Sequence, residues 1–434
     1  MRLVVRCDDA RAARAAQTLL AGAGCEALAL PGPVRPAPHG EDIAIFPANA
    51  RTITAAAERA EATLGLETPP LACVLALTEA APPGLAKDLG PFLGAVALDA
   101  PAALLTRQMA ALQRLAILEE ERVRRTQTGA AFAVEAPASP ADGALRALYI
   151  GAPSTAYLAL DGALAEQGGV TTAAFSSFAG FDHLHDDHFD AVVLNAAQNP
   201  STSIALCAAL RRNASLYHMP TLVVIKADDE KTAAAVIARG ATAIVKLNAP
   251  SAQPLGWLFE AVRRERTRRS SERVLRGLRD KMGDPRTGLM LRTPFEAHLA
   301  RLAGDHHRSG RPLALAVLRA LPAHGARMPE ASIWRRGFNE IASLAARLQR
   351  EADCAAALGD DLIAIALPCA HLRGAQRTAE RIAAVAECTA FASGEMGSGP
   401  LVFEQSAAEL QPGESGGAML ARALRAIEDD SATA

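Results

Sequence analysis

Short apolar runs alternate with helical patterns along the first part of the chain. Runs such as Leu3–Val5 and Ile43–Phe46 predict strands, and apolar residues spaced by three and four positions predict the helices between them. Strands that alternate with helices favour a parallel, doubly wound α/β sheet. The other elements predicted here are the strands Leu71–Leu77 and Gly94–Leu98 and the helices Arg11–Leu20 and Pro101–Arg124.

The same plan begins again near residue 145. Residues 127–144 mix Ala, Pro, Ser and Gly without periodicity and predict a linker. The repetition beyond it predicts an internal duplication of one α/β fold. The elements predicted in the second copy are the strands Arg146–Ile150, Asp190–Leu194, Thr221–Ile225 and Ala243–Val245 and the helices Thr155–Gln167, Ser203–Arg212 and Lys231–Arg239.

These patterns predict a multi-domain chain, as its 434 residues also favour. The predicted segments are a first α/β domain (1–126), the linker (127–144), a second α/β domain (145–266), a connecting helix (267–283) and a third α/β domain (284–434).

Composition narrows the class of protein. No run of about 18 apolar residues lacks charge, so we expect neither a membrane span nor a signal peptide, and a cytoplasmic location. A net charge of −2 gives no bias toward nucleic acid. The arginines between Trp257 and Met282 are interleaved with acidic residues, which favours a solvated connecting helix. The seven scattered cysteines are expected to be small buried hydrophobes.

Two short features of the first two domains resemble phospho-receiver domains. Asp8-Asp9 follows the first strand, but the third strand ends in Phe46-Pro47-Ala48 and offers no carboxylate to accept a phosphoryl group. In the second domain the acceptor position holds Asn195, and Gly151-Ala152 replaces the acidic pair. An amide is a poor nucleophile and carries no charge to hold Mg²⁺, so we do not expect phosphotransfer.

The third domain opens with Asp284-Pro-Arg-Thr-Gly-Leu-Met-Leu-Arg292, which is similar to the Asp-x-x-Thr-Gly-Leu-x-x-Arg opening of GGDEF domains. A predicted hairpin with Gly359-Asp360-Asp361-Leu362 at its turn is similar to the signature hairpin of that family. With two receiver-like (flavodoxin-like) domains upstream, nearly the whole chain resembles the receiver–receiver–GGDEF diguanylate cyclase response regulators of the PleD type. It resembles most their non-catalytic relatives of the PopA type.

The resemblance also indicates what the third domain has lost. Cyclases of this family hold two Mg²⁺ ions on carboxylates, and here Arg319 stands where the first metal aspartate is expected. The signature tetrad keeps Asp361 and ends in Leu362, and residues 327–336 lack the expected guanine-binding pattern. We therefore predict a degenerate cyclase with no catalytic residues and no metal site. Gly359-Asp360 is predicted to form a two-residue type II′ turn.

One pair of residues ahead of the hairpin is intact. In the family, Arg-x-x-Asp at this place is the inhibitory site for cyclic di-GMP, and Arg350 and Asp353 match it. Arg381, in an Ala-Glu-Arg context on the next predicted helix, matches a second arginine of that site, and Arg373 and Arg377 share its helix face. A guanidinium can bond guanine O6 and N7, and a carboxylate can accept guanine N–H groups. A solvated surface Arg–Asp pair is the alternative.

The resemblance implies an effector or scaffold that binds cyclic di-GMP at Arg350, Asp353 and Arg381 and needs no cofactor. The PopA type further implies cell-cycle control, recruitment to a cell pole, presentation of a regulator to a ClpXP-type protease through an adaptor, and homodimerisation through receiver domains. The alternatives are a weakly active diguanylate cyclase that uses Asp361, and a scaffold that works without ligand.

Two histidine-rich stretches resemble metal clusters. They are His183-Leu-His185-Asp-Asp-His188 and Asp305-His306-His307. Both are predicted to be exposed loops without metal.

Overall fold

The computed structural model describes the chain except residues 39, 79–88, 139–142, 248–251, 395–399 and 434. The chain forms two compact units. Unit 1 combines Met1–Ala116 with Pro140–Arg269, and unit 2 combines Ile117–Ser139 with Ser270–Ala434. Within the described residues, no helix is both long enough and apolar enough to cross a membrane.

The described residues that begin unit 1 form a five-stranded sheet in which every neighbouring pair of strands is parallel. Its strand order, β2-β1-β3-β4-β5, is that of doubly wound, flavodoxin-like folds. The elements are β1 (Leu3–Cys7), α1 (Ala10–Gly22), β2 (Ala27–Pro31), β3 (Ile43–Ala48), α2 (Ile53–Leu64), β4 (Ala72–Leu77), β5 (Phe92–Ala97) and α3 (Ala102–Ala131).

The second part of unit 1 repeats this topology in a second parallel sheet of order β10-β9-β8-β6-β7. Counted from its own first strand, this is again the order 2-1-3-4-5. The elements are β6 (Arg146–Ile150), α4 (Thr155–Ala165), β7 (Val170–Ala174), α5 (Ser177–Asp186), β8 (Ala191–Asn195), α6 (Pro200–Arg212), β9 (Thr221–Ile225), α7 (Glu230–Ala238), β10 (Ala243–Lys246) and α8 (Ala252–Met282).

The two doubly wound domains confirm the predicted fold class, and the central strands lie within two residues of their predicted limits. The sequence prediction missed the edge strands β2 and β7 and the helices α2 and α5. Central strands such as β8 are buried at every position, whereas β2 and β7 are only partly buried. An edge strand pairs on one side only, so its apolar pattern is weaker.

The two domains of unit 1 share one hydrophobic cluster. Phe46 and Phe92 from the first domain belong to the same buried set as Tyr149 and Trp257 from the second. An arginine on the last helix of each domain also donates a hydrogen bond to a backbone carbonyl of the other domain. Arg107 of α3 bonds the carbonyl of Ile237 at 2.5 Å, and Arg263 of α8 bonds that of Leu93 at 2.8 Å.

Unit 2 is the third α/β domain, and its sheet has the order β11-β12-β14-β15-β13-β16. Strand β13 pairs antiparallel with both β15 and β16. Its alternating residues face two cores, one under α10 and α11 and the other under α9. The elements are β11 (Gly283–Asp284), β12 (Leu289–Met290), α9 (Arg292–Ser309), β13 (Leu313–Pro322), α10 (Ala331–Leu348), β14 (Cys354–Ala357), β15 (Leu362–Pro368), α11 (Leu372–Glu387), β16 (Leu401–Glu409) and α12 (Gly416–Thr433).

The predicted hairpin forms, but its turn differs from the prediction. The N–H of Leu358 bonds the carbonyl of Leu362, so three residues, Gly359 to Asp361, lie in the loop. Gly359 does not have the positive φ that a type II′ turn requires. The two-residue turn was therefore wrong. The extra residue, Asp361, is held because its carbonyl accepts the N–H of Ala320 on β13.

The predicted linker also differs from the structure. Helix α3 continues to Ala131, so residues 127–131 are helical. These residues include the poor helix formers Thr128 and Gly129, so packing and not propensity extends the helix: a Cβ at Gly129 would lie 3.0 Å from the Leu278 side chain. The Pro-rich composition begins only after them. Residues 139–142 of the linker lie outside the described part of the chain. The domain limits themselves remain a prediction.

Gly337 of α10 provides a test of the packing in unit 2. A Cβ at this position would lie 2.2 Å from the ring of Phe391, so we expect Gly337→Ala to lower the free energy of unfolding by about 1–3 kcal/mol. Gly374 of α11 is the matched control, because its Cβ would meet only Ala370 at 3.6 Å. Gly374→Ala should raise stability by up to about 1 kcal/mol through helix propensity.

The measurement is urea unfolding followed by Trp334 fluorescence. The chain has two tryptophans, so a Trp257→Phe background makes the signal specific for unit 2. Equal effects of the two alanines would contradict the close approach of Phe391 to Gly337.

Candidate ligand-binding site

Asp353 closes the turn that joins α10 to β14. Its Oδ2 accepts the backbone N–H of Arg350 at 3.0 Å, and its own N–H bonds the carbonyl of Arg350 at 2.9 Å. The residue is only 6% exposed. The Arg-x-x-Asp spacing therefore has a local structural role, which the sequence analysis did not predict.

Burial also changes the acidity of Asp353. Loss of solvation raises the pKa of this carboxyl to about 6, although the N–H and the charge of Arg350 and the charge of Arg125 act in the opposite direction. Among the described residues no donor other than the Arg350 N–H bonds the carboxylate, so Oδ1 remains available to accept a further hydrogen bond.

Arg350 and Arg381 lie at the same turn. The guanidinium of Arg350 is exposed and forms no hydrogen bond within the described part of the chain. Arg381 projects from α11, and its Nη2 bonds the carbonyl of Leu348 at 3.0 Å, just ahead of the turn. The three residues predicted from sequence are therefore brought together. Arg373 and Arg377 are exposed on the same helix as Arg381.

Arg125 of α3 is a residue of this site that the sequence analysis missed. Its Nη2 bonds the carbonyls of Glu351, Ala352 and Asp353 at 3.2, 3.1 and 2.9 Å. Glu351 is also paired with Arg276 of α8 at 2.7 Å. Arg125 precedes the turn by more than 200 residues, and no local sequence pattern distinguishes it from the exposed arginines of the same helix.

The guanidinium of Arg125 is held in turn by Glu121, one helical turn earlier, at 2.8 Å. Burial alone would raise the pKa of Glu121, but His298 and Arg125 lower it to about 2, so this carboxylate is ionised at neutral pH. His298 bonds Glu121 through Nε2 at 2.8 Å and Thr128 through Nδ1 at 3.0 Å.

A recess beside the turn is lined by side chains of both signs. Its volume is about 10 Å³, which is room for about one water molecule. A planar base would therefore lie over the turn and not inside it. The lining includes Arg125, Arg279, Gln349, Arg350, Glu351 and Asp353.

The region of the hairpin has a different chemistry. Arg319 of β13 lies opposite Leu362 of β15 and pairs with Glu404 of β16, its Nε lying 2.8 Å from the carboxylate. The indole N–H of Trp334 donates to the carbonyl of Asp360 at 2.9 Å, and the ring packs edge-on against Phe391. A cation and an aromatic ring therefore occupy the neighbourhood of the signature tetrad.

The positions at which the sequence analysis looked for a phosphoryl acceptor in the two doubly wound domains contain internal bonds. Asn195 donates to the hydroxyl of Tyr149 at 2.8 Å, and that hydroxyl donates to the carbonyl of Ala152 at 2.9 Å. In the first domain Asp8 forms an ion pair with Arg59, a cation that the sequence analysis did not place there.

The histidine-rich stretches are largely helical and not the loops that were predicted, although His185, His188 and His307 are exposed as expected. His183 and His185 lie in the last turn of α5, and His306 is buried within α9. Burial and the charge of Arg124 lower the pKa of His306 to about 4. Both stretches continue the apolar periodicity of the helices in which they lie. Their polar composition led the sequence analysis to predict loops. The described residues contain no group of three His, Cys, Asp or Glu side chains suited to hold a metal.

No family model and no curated protein matches the chain. Among solved structures, 36% of the chain is similar to 89% of the GGDEF domain of DgcB from Caulobacter crescentus in complex with c-di-GMP, at 23% identity and a TM-score of 0.28. The GGDEF domain of FimX from Pseudomonas aeruginosa matches 35% of the chain over 95% of its own length, at 18% identity and a TM-score of 0.29. The signal receiver domain of a histidine kinase from Syntrophus aciditrophicus matches 25% of the chain over 82% of its length, at 18% identity and a TM-score of 0.23. Likenesses of this size establish neither a ligand nor an activity.

The raised pKa of Asp353 predicts a pH-dependent stability. The carboxyl ionises near pH 4 in the unfolded chain and near pH 6 in the folded one, so its contribution is fully present below pH 4 and is lost as the pH rises through 6. Across that window the parent should lose about 3 kcal/mol relative to Asp353→Asn, which keeps an oxygen for the Arg350 N–H but does not ionise.

The measurement is urea unfolding of parent and Asp353→Asn between pH 4 and 7.5. Glu121, whose pKa is lowered to about 2, contributes stability that is lost only as the pH falls through 4 toward 2, so the two effects occupy separate windows. A difference between the two proteins that does not change with pH would contradict the burial of the Asp353 carboxyl.

Proposed function

We propose that this protein is a receptor for cyclic di-GMP, which binds at Arg350, Asp353 and Arg381, and that it does not synthesise the messenger. The observation that carries the proposal is the meeting of these three residues at one turn. Arg381 bonds the carbonyl of Leu348, and the Arg350 guanidinium has no hydrogen-bond partner in the described part of the chain. The backbone N–H of Arg350 serves the turn, and its guanidinium is exposed to solvent, where a ligand can reach it.

The chemistry of the three residues suits a guanine dinucleotide. Oδ1 of Asp353 can accept N–H groups of a guanine, and the planar guanidinium of Arg350 can stack on the base or donate to its O6 and N7. Arg381, with Arg373 and Arg377 on the same helix, can neutralise the two phosphates. Because the recess is small, we expect the base to lie over the turn.

The absence of cyclase activity is proposed from the region of the hairpin. Mg²⁺ in phosphoryl-transfer sites is held by carboxylates and phosphate oxygens. Here Arg319 takes the place expected for a metal-binding carboxylate, and Glu404, the carboxylate beside it, is engaged in an ion pair with Arg319. Trp334, in the segment where the resemblance places guanine-binding residues, donates its indole N–H to the carbonyl of Asp360.

We further propose that the ligand changes the protein's affinity for a partner, which requires that it bind two conformations unequally. The proposed output is recruitment to a cell pole and delivery of a cell-cycle regulator to a ClpXP-type protease through an adaptor. The proposed assembly is a homodimer through the receiver-like domains, with an isologous interface. The support for these steps is the resemblance of the sequence to PopA-type proteins.

Isothermal titration calorimetry with cyclic di-GMP tests the site. The parent should bind, and both Arg350→Ala and Asp353→Asn should lose about tenfold to a hundredfold in affinity, because each removes one guanine contact. Arg425→Ala is the control, since Arg425 is an exposed arginine of α12 outside the site. Its affinity should equal that of the parent.

Binding should also weaken as the pH falls below about 6, because only the ionised Asp353 accepts two N–H groups. No heat from the parent, or equal affinities of Arg350→Ala and Arg425→Ala, would refute the site. The first result would favour a scaffold that works without ligand.

Incubation with GTP and Mg²⁺ tests the absence of synthesis. We expect no cyclic di-GMP by chromatography, under conditions in which an active diguanylate cyclase added to the same mixture gives product. Product from the parent that is lost in Asp361→Asn would refute the proposal and establish a residual cyclase that uses Asp361.

A further inference from the structure

The turn that carries Arg350 and Asp353 is fixed on its buried side by one side chain, that of Arg125. Arg125 is 3% exposed, and its Nη2 lies 2.9–3.2 Å from three consecutive carbonyls, those of Glu351, Ala352 and Asp353. Three carbonyls that converge on one nitrogen fix the orientation of three successive peptide planes. The direction in which the Asp353 carboxylate and the Arg350 side chain point follows from those planes.

On the side away from the turn, Arg125 is itself fixed by fully buried side chains. Its Nε bonds Glu121, which is 0% exposed, and Glu121 bonds His298, which is also 0% exposed. His298 is bonded on its other side to Thr128 of α3. The guanidinium therefore cannot change its rotamer without breaking its hydrogen bonds to the Glu121 carboxylate and to the three carbonyls of the turn.

We propose that Arg125 is a positioning residue of the cyclic di-GMP site and that it couples ligand binding at the turn to the state of helix α3. The inference rests on the proposed function. Ligand that orders the Arg350–Asp353 turn in its binding-competent form must also favour the carbonyl geometry that Arg125 binds. By linkage, the factor by which ligand favours the Arg125-bound geometry of the turn equals the factor by which displacement of Arg125 lowers the affinity for ligand.

Helix α3 is a suitable element for such coupling. It begins at Ala102, among residues that belong to unit 1, and its last part from Ile117 belongs to unit 2. The coupling would therefore act on a helix whose two parts belong to different units. Glu351 adds a second link, because its side chain pairs with Arg276 of α8.

Arg124 offers a matched control on the same helix. It is 2% exposed and paired with Glu120 and Asp305, and it lies 3.8 Å from the Glu121 carboxylate, so its loss removes a comparable buried cation beside the same acid. Unlike Arg125, it has no hydrogen bond or ion pair with residues 350–353. Calorimetry with cyclic di-GMP should give at least a tenfold weaker affinity for Arg125→Gln than for Arg124→Gln. Arg125→Lys should fall between Arg125→Gln and the parent, because an ammonium reaches the carbonyls but lacks the fork that also binds Glu121.

Amide hydrogen exchange supplies a measurement that a general loss of stability would not reproduce. Without ligand, Arg125→Gln should lose protection at the amides of residues 350–354, and Arg124→Gln should not. In the parent, cyclic di-GMP should raise the protection of amides 121–128 of α3, which needs no variant and remains measurable if Arg125→Gln fails to fold.

The outcomes separate this inference from the proposed function. If the parent does not bind cyclic di-GMP, the proposed function fails. If the parent binds but Arg125→Gln and Arg124→Gln have equal affinities, or if ligand leaves the protection of residues 121–128 unchanged, the function stands and the role of Arg125 is refuted.

Discussion

The burial of one charge, the guanidinium of Arg125, constrains much of unit 2. A buried cation without water requires both a counter-charge and acceptors for its N–H groups, and removing one partner of such a pair costs about 3–5 kcal/mol. Glu121 supplies the charge, and the backbone of residues 351–353 supplies the acceptors. The turn has its conformation because the arginine beneath it must be satisfied. The conformation of the candidate ligand site at the surface thus depends on the hydrogen bonds that the buried Arg125 requires.

The same sheet carries two regions with different constraints. At the hairpin, the fold requires only backbone pairing, so Arg319 and Glu404 can face each other across β13 and β16. At the turn before β14, the Asp353 carboxylate accepts a backbone N–H, so it has a structural role in addition to the proposed role in ligand binding. Side chains at the hairpin can therefore change without altering the architecture, whereas loss of Asp353 would alter it. A residue with both roles cannot be assigned to ligand binding from its presence alone.

Sequence patterns predicted the central strands of the two parallel sheets, which are buried on both faces. The strands Arg146–Ile150 and Thr221–Ile225 were located to the residue, because central strands of parallel sheets are apolar throughout. Edge strands β2 and β7 were missed since one side of each lacks a neighbour. Arg350 and Asp353 were proposed from an Arg-x-x-Asp motif, and Arg381 from an Ala-Glu-Arg context on the next helix. Arg125 was not found, because its contacts join positions 226 residues and more apart and depend on tertiary packing alone.

The composition of unit 2 from two separate stretches of chain has a consequence for synthesis. When Ile117–Ser139 leaves the ribosome, the strands it will pack against have not yet been translated, and the whole second doubly wound domain must appear first. Arg125 and Glu121 must remain hydrated during that interval. A fragment that begins at residue 284 would lack them altogether and would leave the carbonyls of residues 351–353 without their donor. Unit 2 therefore does not coincide with any contiguous piece of the gene.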